Sequence, residues 1–114
     1  MMTEYRFRIS NDREPPTCSR TIVASFLGLD APLPYDGDRV VYLKAGPDPL
    51  AAPRRVLRRM RVGDNVFFPV SREASHGFRA RLNSASKLQG TTHVTRFVTD
   101  EVSGLVGLRV WRIT

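Results

Sequence analysis

Between Ser71 and Gly90 the apolar residues recur at helical spacing, and on both sides of that stretch the spacing changes to that of strands. At 100° per residue, Ala74, Phe78, Leu82, Ala85 and Leu88 fall on one arc of about 120°. Arg72, His76, Arg79, Asn83, Ser86 and Lys87 fall on the opposite arc. Ser71 offers an N-cap oxygen, Glu73 places a carboxylate at the positive helix end, and Gly90 ends the run. A helix with one apolar stripe must bury it against another element, so this one demands a sheet. Arg81 falls on the apolar side and must snorkel outward or find a partner.

The flanks supply that sheet. VGDNVFFPVS (62–71) reads as a turn followed by a strand. After Gly90, Thr92–Thr99 is rich in β-branched residues, DEVSG (100–104) turns the chain, and Leu105–Ile113 returns as the second arm of a hairpin. Val106, Leu108 and Val110 share one face of that arm; Arg109, Trp111 and Ile113 share the other, and Arg112 joins the first near the end. Val62–Ile113 is therefore a strand–helix–hairpin unit. The expected fold is α+β, a small antiparallel sheet with one main amphipathic helix and a C-terminal β-hairpin. Phe78, Leu82, Ala85 and Leu88 should pack against a sheet face drawn from Phe67, Val70, Val94, Val106, Leu108 and Val110.

Upstream, Tyr5, Phe7 and Ile9 alternate with Arg6 and Arg8 as a half-buried strand does, and Asn11-Asp12 and Pro15-Pro16 break it. Ile22, Val23, Phe26 and Leu27 are spaced like a helical face that Gly28 can cap, although the β-branched pair also suits a strand. RVVYLK (39–44) reads as a short strand, and Asp36-Gly37 suits a tight hairpin turn. AGPDPLAAP (45–53) is a loop or linker, and RRVLRRMR (54–61) is a short helix with Pro53 in its first turn and Val56, Leu57 and Met60 on one side.

The 114 residues suit a single domain, 1–114, with 41% apolar and 25% charged residues, as in a soluble globular protein. No apolar run has the length to span a bilayer, and MMTEYRFRIS has no secretory signal pattern, so a cytoplasmic protein with no membrane contact is expected. A single cysteine, Cys18, excludes an internal disulfide and a Cys-based metal site. His76 and His93 have no acid or nucleophile in motif spacing, and VGDN is a turn rather than a phosphate loop. No catalytic set, cofactor or metal is expected, and the chain does not read as an enzyme.

Charge carries the functional expectation. Residues 1–53 hold six basic and seven acidic residues, a net of −1, whereas residues 54–114 hold twelve against four, a net of +8. A neutral N-terminal part, 1–53, beside a basic part, 54–114, is the footprint of a phosphate-backbone binder. Arg54, Arg55, Arg58, Arg59 and Arg61 place five guanidiniums in eight residues, each able to fork onto a phosphate. The polar helix arc mixes Arg72, Arg79 and Lys87 with Asn83, Ser86 and His76, residue types that hold phosphates and read base edges; Arg79 and Asn83 are the base-edge candidates. Arg96, Arg109 and Trp111 bring planar groups to the hairpin for stacking or backbone contact, with Arg112 beside them, although a lone Trp at this place also suits a core.

GDNVFFP (63–69), a helix with a basic polar face and GLRVWRI (107–113) together resemble the C-terminal half of a group of small bacteriophage proteins. Those end in a G-D-S-F-F-x-P-like strand, a helix and a G-V-R-V-W-R strand. Here Asn65 stands where serine is usual, one residue is added before the phenylalanines, and Leu108 replaces valine. The resemblance covers about the last 55 residues. It implies phage or prophage origin and action inside a bacterial cell, and it brings no activity or site residues. The expected function is a small nucleic-acid-binding regulator or accessory factor, foremost on DNA and plausibly as a homodimer. The alternative is a protein-interaction factor that inhibits or redirects a host or defence protein through its basic face.

Overall fold

In the computed structural model the described residues are 5–15, 37–46 and 48–114. They form five strands, β1 (Tyr5–Ser10), β2 (Val40–Ala45), β3 (Asn65–Pro69), β4 (His93–Thr99) and β5 (Val106–Arg112), with two α-helices, α1 (Pro53–Arg59) and α2 (Arg72–Gln89). A 3-10 turn, Pro49–Ala51, leads into α1. The strands make one antiparallel sheet in the order β2-β1-β3-β5-β4. The architecture is the expected α+β class. The helical expectation for Ile22–Leu27, Asp36 of the Asp36-Gly37 turn and Cys18 lie outside the described residues.

Both helices form where the sequence places them. Ser71 Oγ accepts a hydrogen bond from the Ala74 amide at 3.1 Å, which satisfies one of the orphan donors of α2. Gly90 closes the helix at φ 72°, a left-handed conformation that costs glycine nothing. In α1, Pro53 opens the first turn, and Val56, Leu57 and Met60 are all buried. Arg81 finds its partner: a guanidinium nitrogen donates to the Leu50 carbonyl at 2.8 Å.

The core lies between the helices and one face of the sheet. Phe7 and Ile9 of β1, Leu43 of β2, Val66 and Phe68 of β3, and Leu108 and Val110 of β5 meet Val56, Leu57, Phe78, Leu82 and Ala85. The rings of Phe7, Phe68 and Phe78 form a tilted chain, with centroids 5.1 and 4.8 Å apart, joining β1 through β3 to α2. Residues near the N-terminus thus share the core of the strand–helix–hairpin unit, so Ala45–Pro53 connects neighbouring parts of one sheet and does not separate two bodies.

Four core expectations are corrected. Leu88 is 70% exposed, while α2 buries Ser75 and Ser86 beside Phe78, Leu82 and Ala85. The buried stripe is thus turned by about 50° from the one the apolar residues define. Ser75 Oγ donates to the Arg72 carbonyl at 2.6 Å, and Ser86 Oγ pairs with His93 Nδ1 at 2.7 Å, so burying these small hydroxyls leaves no unmet hydrogen bond. Phe67 and Val94 pair across from Arg109 and Trp111, on the face away from the helices, and both are only half-buried. Val106 shares the parity of Leu108 but sits at the end of the hairpin, 48% exposed.

One feature of the sheet matters for function. β1 and β3 share a single ladder pair, Ser10↔Asn65, whereas β1–β2 and β3–β5 pair along their lengths. Asn65 reinforces that junction by donating from Nδ2 to the Ser10 carbonyl at 2.9 Å. Away from it no further ladder pair joins the two strands, and the helix-free face is concave there.

Candidate functional site

The helical layer holds the unbalanced charge. Residues 53–61 and 72–89 carry Arg54, Arg55, Arg58, Arg59, Arg61, Arg72, Arg79, Arg81 and Lys87 against one carboxylate, Glu73. All but Arg79 are exposed. None of the nine forms an ion pair among the described residues. Arg54, Arg55, Arg58, Arg59 and Arg61 are all exposed on α1 and the residues after it, because the helix spends its apolar side on α2 and the sheet. Lys87 and Asn83 lie exposed on the outer side of α2.

The turn of α2 redistributes the other helix candidates. Arg72 is exposed, with its guanidinium carbon 4.5 Å from the Phe97 ring centroid. Arg79 is half-buried and its Nε has no hydrogen-bond partner. Ser86 is committed to His93, whose ring burial, with the positive charge of Arg112 nearby, lowers its pKa to about 4. The outer ridge of α2 is therefore His76, Ala80, Asn83, Ser84 and Lys87, and Arg79 leaves the base-reading position that the sequence suggested.

The hairpin candidates divide. Arg96 is exposed on the helix-free face. Arg109, opposite it, is 7% exposed and donates to Asn65 Oδ1 at 2.7 Å and Asp100 Oδ1 at 2.6 Å, with its guanidinium 5.4 Å from the Phe67 ring. Arg112 is held by the Met60 and Thr114 carbonyls, at 2.6 and 3.0 Å. Trp111 is 7% exposed and its indole nitrogen donates to the Arg13 carbonyl at 3.3 Å. It is buried outside the main core, beneath the segment that follows β1. Arg109, Arg112 and Trp111 are committed within the fold, and Arg96 is the hairpin candidate that remains exposed.

Sequence reasoning passed over the acidic partners on the helix-free face. There Arg8 pairs with Asp12 at 2.6 Å, Arg109 with Asp100, and Arg13 with Glu101 in the β4–β5 turn. Burial opposes ionisation of Asp12, but hydrogen bonds from Ser10, Arg8 and Asn65 overcome it and lower its pKa to about 2. Burial likewise opposes the Asp100 charge, and the Ser103 amide and hydroxyl with Arg109 and Arg13 still pull its pKa down. On this face Arg8, Arg13 and Arg109 are paired with carboxylates, in contrast to the cations of the helices. Arg13 and Glu101 lie 88 residues apart in sequence, so no local pattern announces that pair, whereas the partners of Arg8 and Arg109 lie 4 and 9 residues away.

No group of three or more His, Cys, Asp or Glu among the described residues is placed to hold a metal ion. No described helix is long and apolar enough to cross a membrane. Compared with protein-family models, curated proteins and solved structures, the chain matches none.

Proposed function

We propose that this protein binds nucleic acid, foremost DNA, through the phosphate backbone, with the helical layer as the contact surface. The observation that carries the reading is the segregation of charge: nine cations on the helical side with one carboxylate and no ion pair among the described residues, against carboxylate pairs at Arg8, Arg13 and Arg109 on the other face. Fixed, unpaired guanidiniums displace condensed counterions and give affinity without sequence information. The cluster from Arg54 to Arg61 holds phosphates, and Arg72 and Lys87 extend the surface along α2. Asn83, exposed between them on the outer side, is the base-edge candidate. The phage-like motifs give the reading its setting, a regulator or accessory factor in the cytoplasm of a bacterial cell.

A fluorescence-anisotropy titration against a short duplex and a single strand, at several salt concentrations, tests it. About five phosphate contacts give a log–log salt slope of roughly −4 to −5 on duplex. Arg58→Ala/Arg59→Ala should reduce that slope by about two, whereas Arg96→Ala on the opposite side should leave it unchanged. Absence of binding at low salt, or equal effects of the two variants, overturns the proposal.

A second reading has its own observation. A groove of about 510 Å³ between α1 and α2 has an apolar floor, including Pro53, Ala80 and Ala85, with Leu88 exposed beside Arg54 and Arg81. An acidic, amphipathic protein segment fits an apolar groove with a cationic rim, as a factor acting on a host protein requires. Leu88→Glu separates the two: it weakens such a partner strongly and alters DNA affinity only by the change in charge.

A further inference from the structure

The geometry points to a small-ligand site on the helix-free face, a groove for a planar aromatic anion. It lies where β1 and β3 part company beyond the Ser10↔Asn65 pair. Its volume is about 640 Å³, within the range of small-molecule sites. Tyr42 and Phe67 provide aromatic walls, and the turn from Asp100 to Leu105 forms the far side. Tyr42 is 65% exposed and Leu105 52%, an apolar surface that a ring would cover.

The chemistry left over in the groove selects the charge. Four arginines and three acids line it: Arg6, Arg8, Arg13 and Arg109 with Asp12, Asp100 and Glu101. The acids are spoken for. Asp12 receives Arg8 on one oxygen, and Ser10 and Asn65 on the other. Asp100 receives Arg109 on one oxygen and Ser103 on the other, while Glu101 holds Arg13. Arg6 has no ion-pair partner among the described residues, and Arg13 Nε is buried without a hydrogen-bond partner. The groove therefore has spare donors and aromatic surface but few spare acceptors. A ligand that satisfies it has a flat ring to lie against Tyr42 and Phe67 and an anionic group for the Arg6 guanidinium. A nucleoside monophosphate and an aromatic carboxylate share that chemistry. The site lies on the face of the sheet opposite α1 and α2, so its occupancy is independent of nucleic-acid binding by the helices.

Two-dimensional NMR of the full chain, titrated separately with adenosine 5′-monophosphate and 2-naphthoate, tests the assignment. Adenosine, 2-naphthylmethanol and inorganic phosphate serve as the ring-only and anion-only controls. For ligands of this size the dissociation constants should lie between about 10 µM and 1 mM, with shifts confined to β1, β2, β3, the β4–β5 turn and Arg109 of β5. Preference for one anion identifies the source as nucleotide or aromatic acid. Arg6→Gln and Tyr42→Ala, both at exposed side chains, should each weaken binding by about tenfold while leaving the spectrum of the free protein folded. Equal binding of the uncharged controls, insensitivity to Arg6→Gln, or no saturable shifts with either anion overturns the site. Shifts spread over α1 and α2 would do so as well, because they would report anions collecting on the helical cations.

Discussion

Replacing Arg109 by methionine should destabilise the fold by about 3–5 kcal/mol, although the substitution puts a longer apolar chain into a buried place. Arg109 is 7% exposed, and two of its nitrogens are engaged, one with Asn65 Oδ1 at 2.7 Å and one with Asp100 Oδ1 at 2.6 Å. Methionine fills the stem but leaves the Asp100 carboxylate, whose side chain is 13% exposed, without its ion-pair partner, with Arg13 the remaining charge nearby. It also leaves the amide oxygen of Asn65, a residue 1% exposed, without a donor. A buried charge that loses its direct partner and an unmet acceptor add to the quoted range, and the free energy of the intact pair does not enter it. Urea unfolding, followed by the fluorescence of Trp111 on the neighbouring part of β5, measures the loss. With a slope of about 1.5 kcal/mol per molar, the midpoint should fall by roughly 2–3 M. Asp100→Asn in the same background removes the stranded charge and should restore at least 1.5 kcal/mol, a coupling that a double-mutant cycle isolates. A single variant within 1 kcal/mol of the parent, with no coupling to Asp100, would refute the reasoning and return Arg109 to the surface role its place in the hairpin sequence suggested.

Three further outcomes follow from the packing and the titrating groups. Leu82→Ala, at 1% exposure, should cost 2–5 kcal/mol, and Leu88→Ala, at 70%, should stay within about 0.5, so that comparing their urea midpoints checks the turn of α2. Gly107→Ala should cost at least about 3 kcal/mol, because a Cβ there would fall on the Phe68 carbonyl oxygen and lie 2.8 Å from Phe67 Cζ, at the last pair of the β3–β5 ladder; thermal unfolding reads it. His93 is held neutral to about pH 4, whereas an unfolded histidine takes its proton near 6.5, so stability should be constant above about pH 7. It should then fall by about 3 kcal/mol as the pH drops from 6.5 to 4, and a His93→Gln variant should lose that part of the slope in urea midpoints measured across the window.

Much of the fold is legible in the linear pattern. The capping residues Ser71 and Gly90, the turn at Val62–Asp64, the five-residue DEVSG turn and the alternation in Tyr5–Ile9 each fix local structure within a few residues. The elements they predict are present with shifts of about a residue at their ends. The candidate site is legible only in part. Arg54, Arg55, Arg58, Arg59 and Arg61 are exposed because α1 is short and buries one side, which the sequence shows. Arg109, Arg112 and Trp111 look the same in a linear reading, yet they are taken up by Asp100 across the hairpin turn and by Asn65, Met60 and Arg13, segments brought near only by the sheet.

The sequence by itself determined the element types, most of their limits and the location of the surplus charge in residues 54–114, since periodicity, capping and charge are properties of neighbours along the chain. Tertiary structure alone decided which face of α2 is buried, that β1 lies inside the sheet, and that β1 and β3 meet at one residue pair and leave a groove. The physical reason is that burial and ion pairing depend on distances in space. The strand order sets these by joining Ser10 to Asn65 and Arg13 to Glu101 across 55 and 88 residues of chain.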